Sequence, residues 1–130
     1  MSKAYDILMV DDSRTVKAVI AKSLSLSGIS LASLREAGNG KEGLEMARER
    51  KPDLIFADLN MPVMGGLEMI EILKGDESLR DVPIVVISTE GNEERIGGLK
   101  ERGIAAFLRK PFRPEAIKAL VGEILGVEHG

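Results

Sequence analysis

The chain has 130 residues, a net charge of −3, 44% hydrophobic and 30% charged residues, no cysteine and a single histidine. That length suits one domain, long enough to bury roughly two-thirds of the surface its unfolded form exposes. The charge balance leaves no footprint for nucleic acid, and the missing cysteines exclude disulfides, thiolate metal sites and cysteine nucleophiles. A Ser-His-Asp triad or a His-based metal site would have to be built on the penultimate His129, where chains usually fray. No apolar run approaches about 18 residues and the N-terminus has no signal pattern, so a cytoplasmic protein without membrane insertion is expected.

In chain order, residues 5–10 read as a strand, and 14–27 as a helix with Val16, Val19, Ile20 and Leu24 at helical spacing and Gly28 at its C-cap. A weaker strand lies near 30–36. Asn39 followed by Glu42 resembles a capping box opening a helix over 40–50. "DLIFA" at 53–57 is a continuous apolar run, the pattern of a strand covered on both faces. A short helix runs from Leu67 to Leu73 after the Gly65-Gly66 turn, and "VPIVVIS" at 82–88 is a strand rich in branched residues. Asn92 caps a helix to about 101, "IAAFL" at 104–108 is a fifth strand, and 114–125 is a helix with Ile117, Leu120, Val121, Ile124 and Leu125 inward. There is no linker, repeat or low-complexity segment, so 1–130 is expected to be a single domain with its core over about 5–125.

Strands alternating with helices predict an α/β fold: a doubly wound, five-stranded parallel sheet with helices on both faces. Sites in such folds lie beyond the carboxyl ends of the strands. The polar residues there are Asp11 and Asp12 after the first strand, Asp58 after the third, Ser88 and Thr89 after the fourth, and Lys110 after the fifth. Three carboxylates in one cleft raise each other's pKa unless a cation neutralises them. Oxygen-only donors select a hard ion, and so few ligands with several retained waters suit Mg²⁺ better than Ca²⁺. A carboxylate can also attack a phosphoryl group, with Mg²⁺ and a lysine ammonium stabilising the transferring oxygens. Asp58, from the central strand, is the candidate nucleophile, Lys110 the ammonium, and Ser88 or Thr89 a hydrogen-bond donor to a phosphoryl oxygen.

The segments "VDDS", "DLNMPVMGGLEMI", "PIVVISTEG" and "FLRKPF", in this order and spacing, resemble the receiver domain of two-component response regulators, over about residues 5–125. The resemblance implies the flavodoxin-like strand order 2-1-3-4-5, the order of the chemotaxis regulator that serves as a standard example of this fold. It implies that Asp58 is the phosphoacceptor, that Asp12 ligates Mg²⁺ directly and Asp11 through water or weakly, and that the carbonyl of Asn60 completes the protein's share. Lys110 would pair with the phosphoryl group, Ser88 would move its hydroxyl to meet it, and Phe107 would turn inward behind. Asn60 and Glu90 match positions that tune the loss of the phosphoryl group to water. A cis bond is expected at Lys110–Pro111. Three positions depart from the commonest pattern: Ser88 stands where Thr is usual, Phe107 where Tyr is frequent, and Thr89 where Ala, Gly or Ser is common. The bulk of Thr89 is expected to hinder attacking water, so Thr89→Ala should speed dephosphorylation.

The function so implied is a signalling switch. It would take a phosphoryl group from a sensor histidine kinase or histidine phosphotransfer protein. It would then change its surface around the fourth helix, fifth strand and fifth helix to control a protein target, as a monomer or a weak phosphorylation-dependent dimer. It would catalyse its own transfer and dephosphorylation and turn over no metabolite. Two other classes compete: an Mg²⁺-dependent aspartyl phosphatase, which wants an Asp where Asn60 stands, and a flavodoxin-like electron carrier, whose phosphate would meet Asp11 and Asp12. A stand-alone regulator is expected over a receiver fragment of a longer one. Met61 and Met64 are expected to pack rather than bind. Gly97 and Gly98 cost about 0.8–1 kcal/mol each inside a helix, so 92–101 should be the least stable helix and the one that phosphorylation reshapes.

Overall fold

The computed structural model describes residues 3–89 and 92–126. Ten elements alternate: β1 (Ala4–Val10), α1 (Arg14–Ser27), β2 (Ser30–Ala37), α2 (Gly40–Glu49), β3 (Leu54–Ala57), α3 (Gly66–Gly75), β4 (Ile84–Ser88), α4 (Glu93–Glu101), β5 (Ala106–Arg109) and α5 (Pro114–Leu125). The strands form one parallel sheet in the order β2-β1-β3-β4-β5. Every strand therefore points its carboxyl end the same way, and Asp58 follows the central one.

Alternation along the strands makes two cores, one on each side of the sheet. Ile7, Met9, Phe56, Val85 and Ile87 face α1 and α5, where Ile20, Leu24, Ile117 and Val121 meet them. Leu8, Val10, Ile55, Ala57, Ile84 and Val86 face the other way onto Leu44, Met69, Ile70, Leu73 and Leu99 of α2, α3 and α4. Each fully buried aliphatic side chain contributes about 1.5–3 kcal/mol. The expected residues on α5 fall as predicted: Ile117 and Val121 are buried, and Leu120, Ile124 and Leu125 pack part-buried against the same core. On α1 the stripe is narrower than its spacing suggests. Ile20 and Leu24 are buried and Val16 is part-buried, but Val19 is 37% exposed.

Local caps set the helix starts. The Ser13 Oγ accepts from the Val16 N–H at 3.2 Å, and Asn92 Oδ1 accepts from the Arg95 N–H at 2.7 Å. Asn39 Oδ1 accepts from the Glu42 N–H at 2.9 Å, but Glu42 returns to the Asn39 side-chain amide at 2.8 Å rather than to its backbone, so the expected box closes between side chains. Helix α3 is longer than predicted at both ends: Gly66 already belongs to it and it runs on past Leu73 to Gly75. Strand β4 starts at Ile84, two residues later than expected, because the Val82 N–H bonds back to the Leu79 carbonyl (3.0 Å) and Pro83 has no N–H to give a ladder; strand β5 also starts two residues late. The Ala105 N–H still bonds the Ile84 carbonyl (2.8 Å), but Ile104 bonds back to Leu99 of α4 (3.4 Å), behind Gly103 with its φ of 92°. Met61 and Met64 pack part-buried against the core, as expected.

Candidate functional site

The site forms where β1 and β3 lie side by side. The Asp11 N–H donates to the Ala37 carbonyl of β2 and the Asp58 N–H to the Val10 carbonyl of β1, both at 3.0 Å. These bonds continue the sheet one residue past the strands and bring the acidic pair beside Asp58. From the other side, the Lys110 N–H donates to the Ser88 carbonyl at 3.0 Å, extending the β4–β5 ladder, and the next peptide bond, Lys110–Pro111, is cis, as expected. Lys110 Nζ lies 3.3 Å from Asp11 Oδ2 and 3.4 Å from Asp58 Oδ2. Residues 99 positions apart thus meet at one rim.

Asp11, Asp12 and Asp58 each present a carboxylate oxygen, and these oxygens lie within 4.8 Å of one another. Oxygens sharing an ion at about 2.1 Å lie within about 4.2 Å of each other, so the trio fits one small cation with slight inward movement. The donor set is all oxygen, which suits a hard cation. Asp11 and Asp58 are buried, whereas Asp12 is exposed. Burial is the main cause that pushes the Asp11 carboxyl above its ordinary value. The Ser13 N–H and the Lys110 ammonium pull it back, and the charge of Asp58 pushes it further up. One ammonium does not balance three carboxylates, and an added cation relieves that imbalance.

Asp11 already uses both oxygens: Oδ1 accepts from the Ser13 N–H at 2.8 Å and Oδ2 faces Lys110. This is an Asx turn into α1, and Ser13 at once caps the helix and holds the carboxylate. That role is absent from the expected set, although a hydrogen-bonding side chain two residues before a cap is its usual signal. Asp58 Oδ1 accepts from the Leu59 N–H at 2.8 Å, which leaves Oδ2 facing Lys110. A second residue missing from the expected set is Gly66. A methyl group there would overlap the Asp58 carbonyl oxygen, so only glycine lets α3 begin against the backbone of Asp58.

Ser88 is fully buried at the end of β4. Thr89 is exposed and lines, with Thr15, Val16, Val19, Lys110, Pro111 and Phe112, an apolar groove of about 380 Å³ beside the site. Val19 faces this groove, which accounts for its exposure. Asn60 is exposed two residues after Asp58. Phe107 packs part-buried on the α4 side of the sheet and lines a second groove, of about 440 Å³, between α4, β5 and α5. Glu90 and His129 lie outside the described residues.

Comparison with known proteins places these features in one family. The family model described as "Response regulator receiver domain" matches residues 7–122. The chain is 31% identical over 121 residues to the chemotaxis protein CheY1 of Helicobacter pylori, covering 92% of this chain and 96% of that one. It is 35% identical over 120 residues to the phosphate regulon transcriptional regulatory protein PhoB of Pseudomonas aeruginosa, covering 92% of this chain but 51% of that protein. The structure of the chemotaxis response regulator CheY4 of Vibrio cholerae superposes with a TM-score of 0.83 at 29% identity, covering 94% of this chain and 99% of that one.

Proposed function

This chain belongs to the response regulator receiver domain family, and we propose that it works as a phosphorylation-controlled switch with Asp58 as the phosphoacceptor. The observation that carries this reading is the placement of the Asp58 carboxylate between an ammonium 3.4 Å away and two further carboxylates within 4.8 Å. Asp12 and Asp58 would hold Mg²⁺ directly. Asp11, whose oxygens are already taken by Ser13 and Lys110, would hold it through water, and the Asn60 carbonyl would complete the set. When bound, Mg²⁺ offsets the negative charge of the trio and of the incoming phosphoryl oxygens.

An Asp58 carboxylate oxygen attacks the phosphorus of a partner's phosphohistidine. The O–P bond forms as the N–P bond breaks, and the leaving imidazole nitrogen takes up a proton. Lys110 moves from its carboxylate partners to the new phosphoryl oxygens, the Ser88 hydroxyl donates to one of them, and Phe107 fills the space behind. Water later cleaves the aspartyl phosphate at a rate tuned by Asn60, Thr89 and Glu90. The partners are a sensor histidine kinase or histidine phosphotransfer protein on one side and a protein target on the other. The protein turns over no metabolite, and no helix among the described residues is long and apolar enough to cross a membrane, in keeping with work in the cytoplasm.

The target surface is the face of α4, β5 and α5. There Ile96, Phe107, Leu120 and Ile124 line the 440 Å³ groove, with Lys100 and Glu123 beside them. Helix α4 is tied to the core by Leu99 as its one buried residue and carries Gly97 and Gly98, so a small bias at Ser88 and Phe107 shifts its population. Incubation with acetyl phosphate and Mg²⁺, followed by peptide mass mapping, tests the reading. A phosphoryl adduct on Asp58 that disappears with EDTA and in Asp58→Asn is expected; its absence from the wild type overturns the proposal. Multiple-turnover release of phosphate from small esters would instead favour a phosphatase.

A further inference from the structure

The loop from Asp58 to α3 is strained in the middle and pinned from outside. Val63 has a φ of 66°, and the Met64 N–H donates to the Pro62 carbonyl at 2.7 Å. This is a γ-turn of the rare positive-φ hand, where a β-branched residue is an outlier. The Val63 side chain is 78% exposed, so no burial of that side chain explains the conformation. Strained turns persist where the surroundings over-determine them. The pin lies on another element: the Gly40 N–H, at the start of α2, donates to the Met64 carbonyl at 2.9 Å. A methyl group on Gly40 would lie 2.8 Å from that carbonyl oxygen and 2.9 Å from Met64 Cγ, closer than carbon packs.

We infer that Gly40 is a positioning residue for the acidic site: by gripping the Met64 carbonyl it holds the strained loop, and with it the Asp58–Asn60 backbone, in the conformation that accepts the divalent cation. This inference rests on the reading of the trio as a cation site. The atoms nearest a methyl group on Gly40 belong to Met64 and Gly65 and not to the site's side chains. The effect of Gly40 runs through four residues of loop, because Asn60 and Met64 share a segment with little freedom between the Gly40 bond and the Gly66 N–H bond to the Leu59 carbonyl (2.9 Å). Coupling of this kind is reciprocal: if the Gly40 bond favours the cation, the cation favours the Gly40 bond by the same factor.

The test compares wild type, Gly40→Ala and Leu24→Ala, the last weakening the core on the opposite face of the sheet. Mg²⁺ affinity is read from amide chemical-shift titrations. About tenfold weaker binding is expected in Gly40→Ala and unchanged binding in Leu24→Ala, a coupling within the usual range. In the metal-free proteins the amide resonances of residues 58–60 should move in the first variant alone. Should Gly40→Ala fail to fold, hydrogen exchange in the wild type decides: saturating Mg²⁺ should slow exchange of the Gly40 amide by about the same factor. Wild-type Mg²⁺ affinity in Gly40→Ala, or Gly40 exchange indifferent to Mg²⁺ in a wild type that binds it, overturns the inference alone. A wild type that does not bind Mg²⁺ overturns the reading of the site as well.

Discussion

Strand β1 carries a charge cluster near each end, about 17 Å apart along the chain, and the two are built on opposite plans. Near its start, the buried Asp6 accepts from Ser33 Oγ (2.9 Å), from Arg35 Nε and Nη2 (both 3.1 Å) and from Arg50 Nε (2.7 Å). The two guanidinium groups are themselves tied down: Arg35 donates to the carbonyls of Met46 and Arg50, and Arg50 to Ser33 Oγ. Burial alone would raise the Asp6 carboxyl, but bonds from Arg50, Ser33 and Arg35 outweigh it and hold Asp6 below its ordinary value. Beyond the other end, three carboxylates lie together, one ammonium pairs with two of them, and burial pushes Asp11 upward. Asp6 and Asp58 are equally buried, each 8% exposed. What separates them is therefore the partner set. The first cluster is closed and fastens β1 to β2 and α2; the second is left short of positive charge.

The sharpest break of this comparison is to remove one acid from each. Asp6→Ala strands two guanidinium groups and should cost about 3 kcal/mol. That is the low end for a broken buried pair, because the Arg50 side chain is 59% exposed and can turn to water. Urea unfolding reads it, and a loss under about 1 kcal/mol would mean that the cluster is an ornament of the surface. Mg²⁺ comes next. At ten times its dissociation constant it should stabilise the wild type by about 1.4 kcal/mol and leave Asp12→Ala nearly unmoved. Asp58→Asn should have the opposite sign to Asp6→Ala, gaining about 1 kcal/mol or less without metal because a crowded negative charge is lost. A loss of stability there would show the rim to be as closed as the Asp6 cluster.

Acidity sharpens the contrast further. Asp6 has a folded value below the ordinary 3.8, so its contribution is whole above that value and is lost as pH falls through the folded one. Asp11 has a folded value above 3.8. The folded protein then takes up its proton before the unfolded chain does, and the repulsion at the rim is relieved as pH falls toward about 4. Asp11→Asn should thus raise stability at neutral pH and converge with wild type in mild acid, while Mg²⁺ stabilisation fades over the same range as protons compete for the ligands. Urea midpoints measured across this range check both.

The rim was legible in the sequence and the Asp6 cluster was not, for a physical reason. Asp11, Asp12, Asp58, Ser88 and Lys110 each follow an apolar run, and a parallel sheet sends all such positions to one edge, so order along the chain suffices to gather them. Asp6 sits inside a strand, where an isolated polar residue reads as the solvent side of an alternating pattern. Its partners Arg35 and Arg50 are 29 and 44 residues away and resemble any other surface arginines. The Gly40 and Val63 contacts were hidden for the same reason, since backbone carbonyls leave no mark on composition. The element positions followed periodicity to within one or two residues, and among the largest slips are the starts of β4 and β5, where Val82 and Ile104 carry strand-like side chains but their N–H groups bond back to Leu79 and Leu99.

The smallest expected effect asks whether the rim gives up stability in its backbone as it does in its charges. Val63 is strained, whereas Asn is tolerated at positive φ and Gly freely adopts it. If the turn is imposed by its surroundings, Val63→Asn should stabilise the metal-free protein by about 0.5–1 kcal/mol. Val63→Gly should gain less, since glycine also loses more freedom on folding. The order Asn above Gly above Val, read from thermal midpoints, separates backbone strain from any role of the exposed side chain, because the two replacements share nothing but their ease at positive φ. A Val63→Asn protein no more stable than wild type would mean that the loop rests comfortably where it is, and the resemblance between the strained turn and the crowded carboxylates would end there.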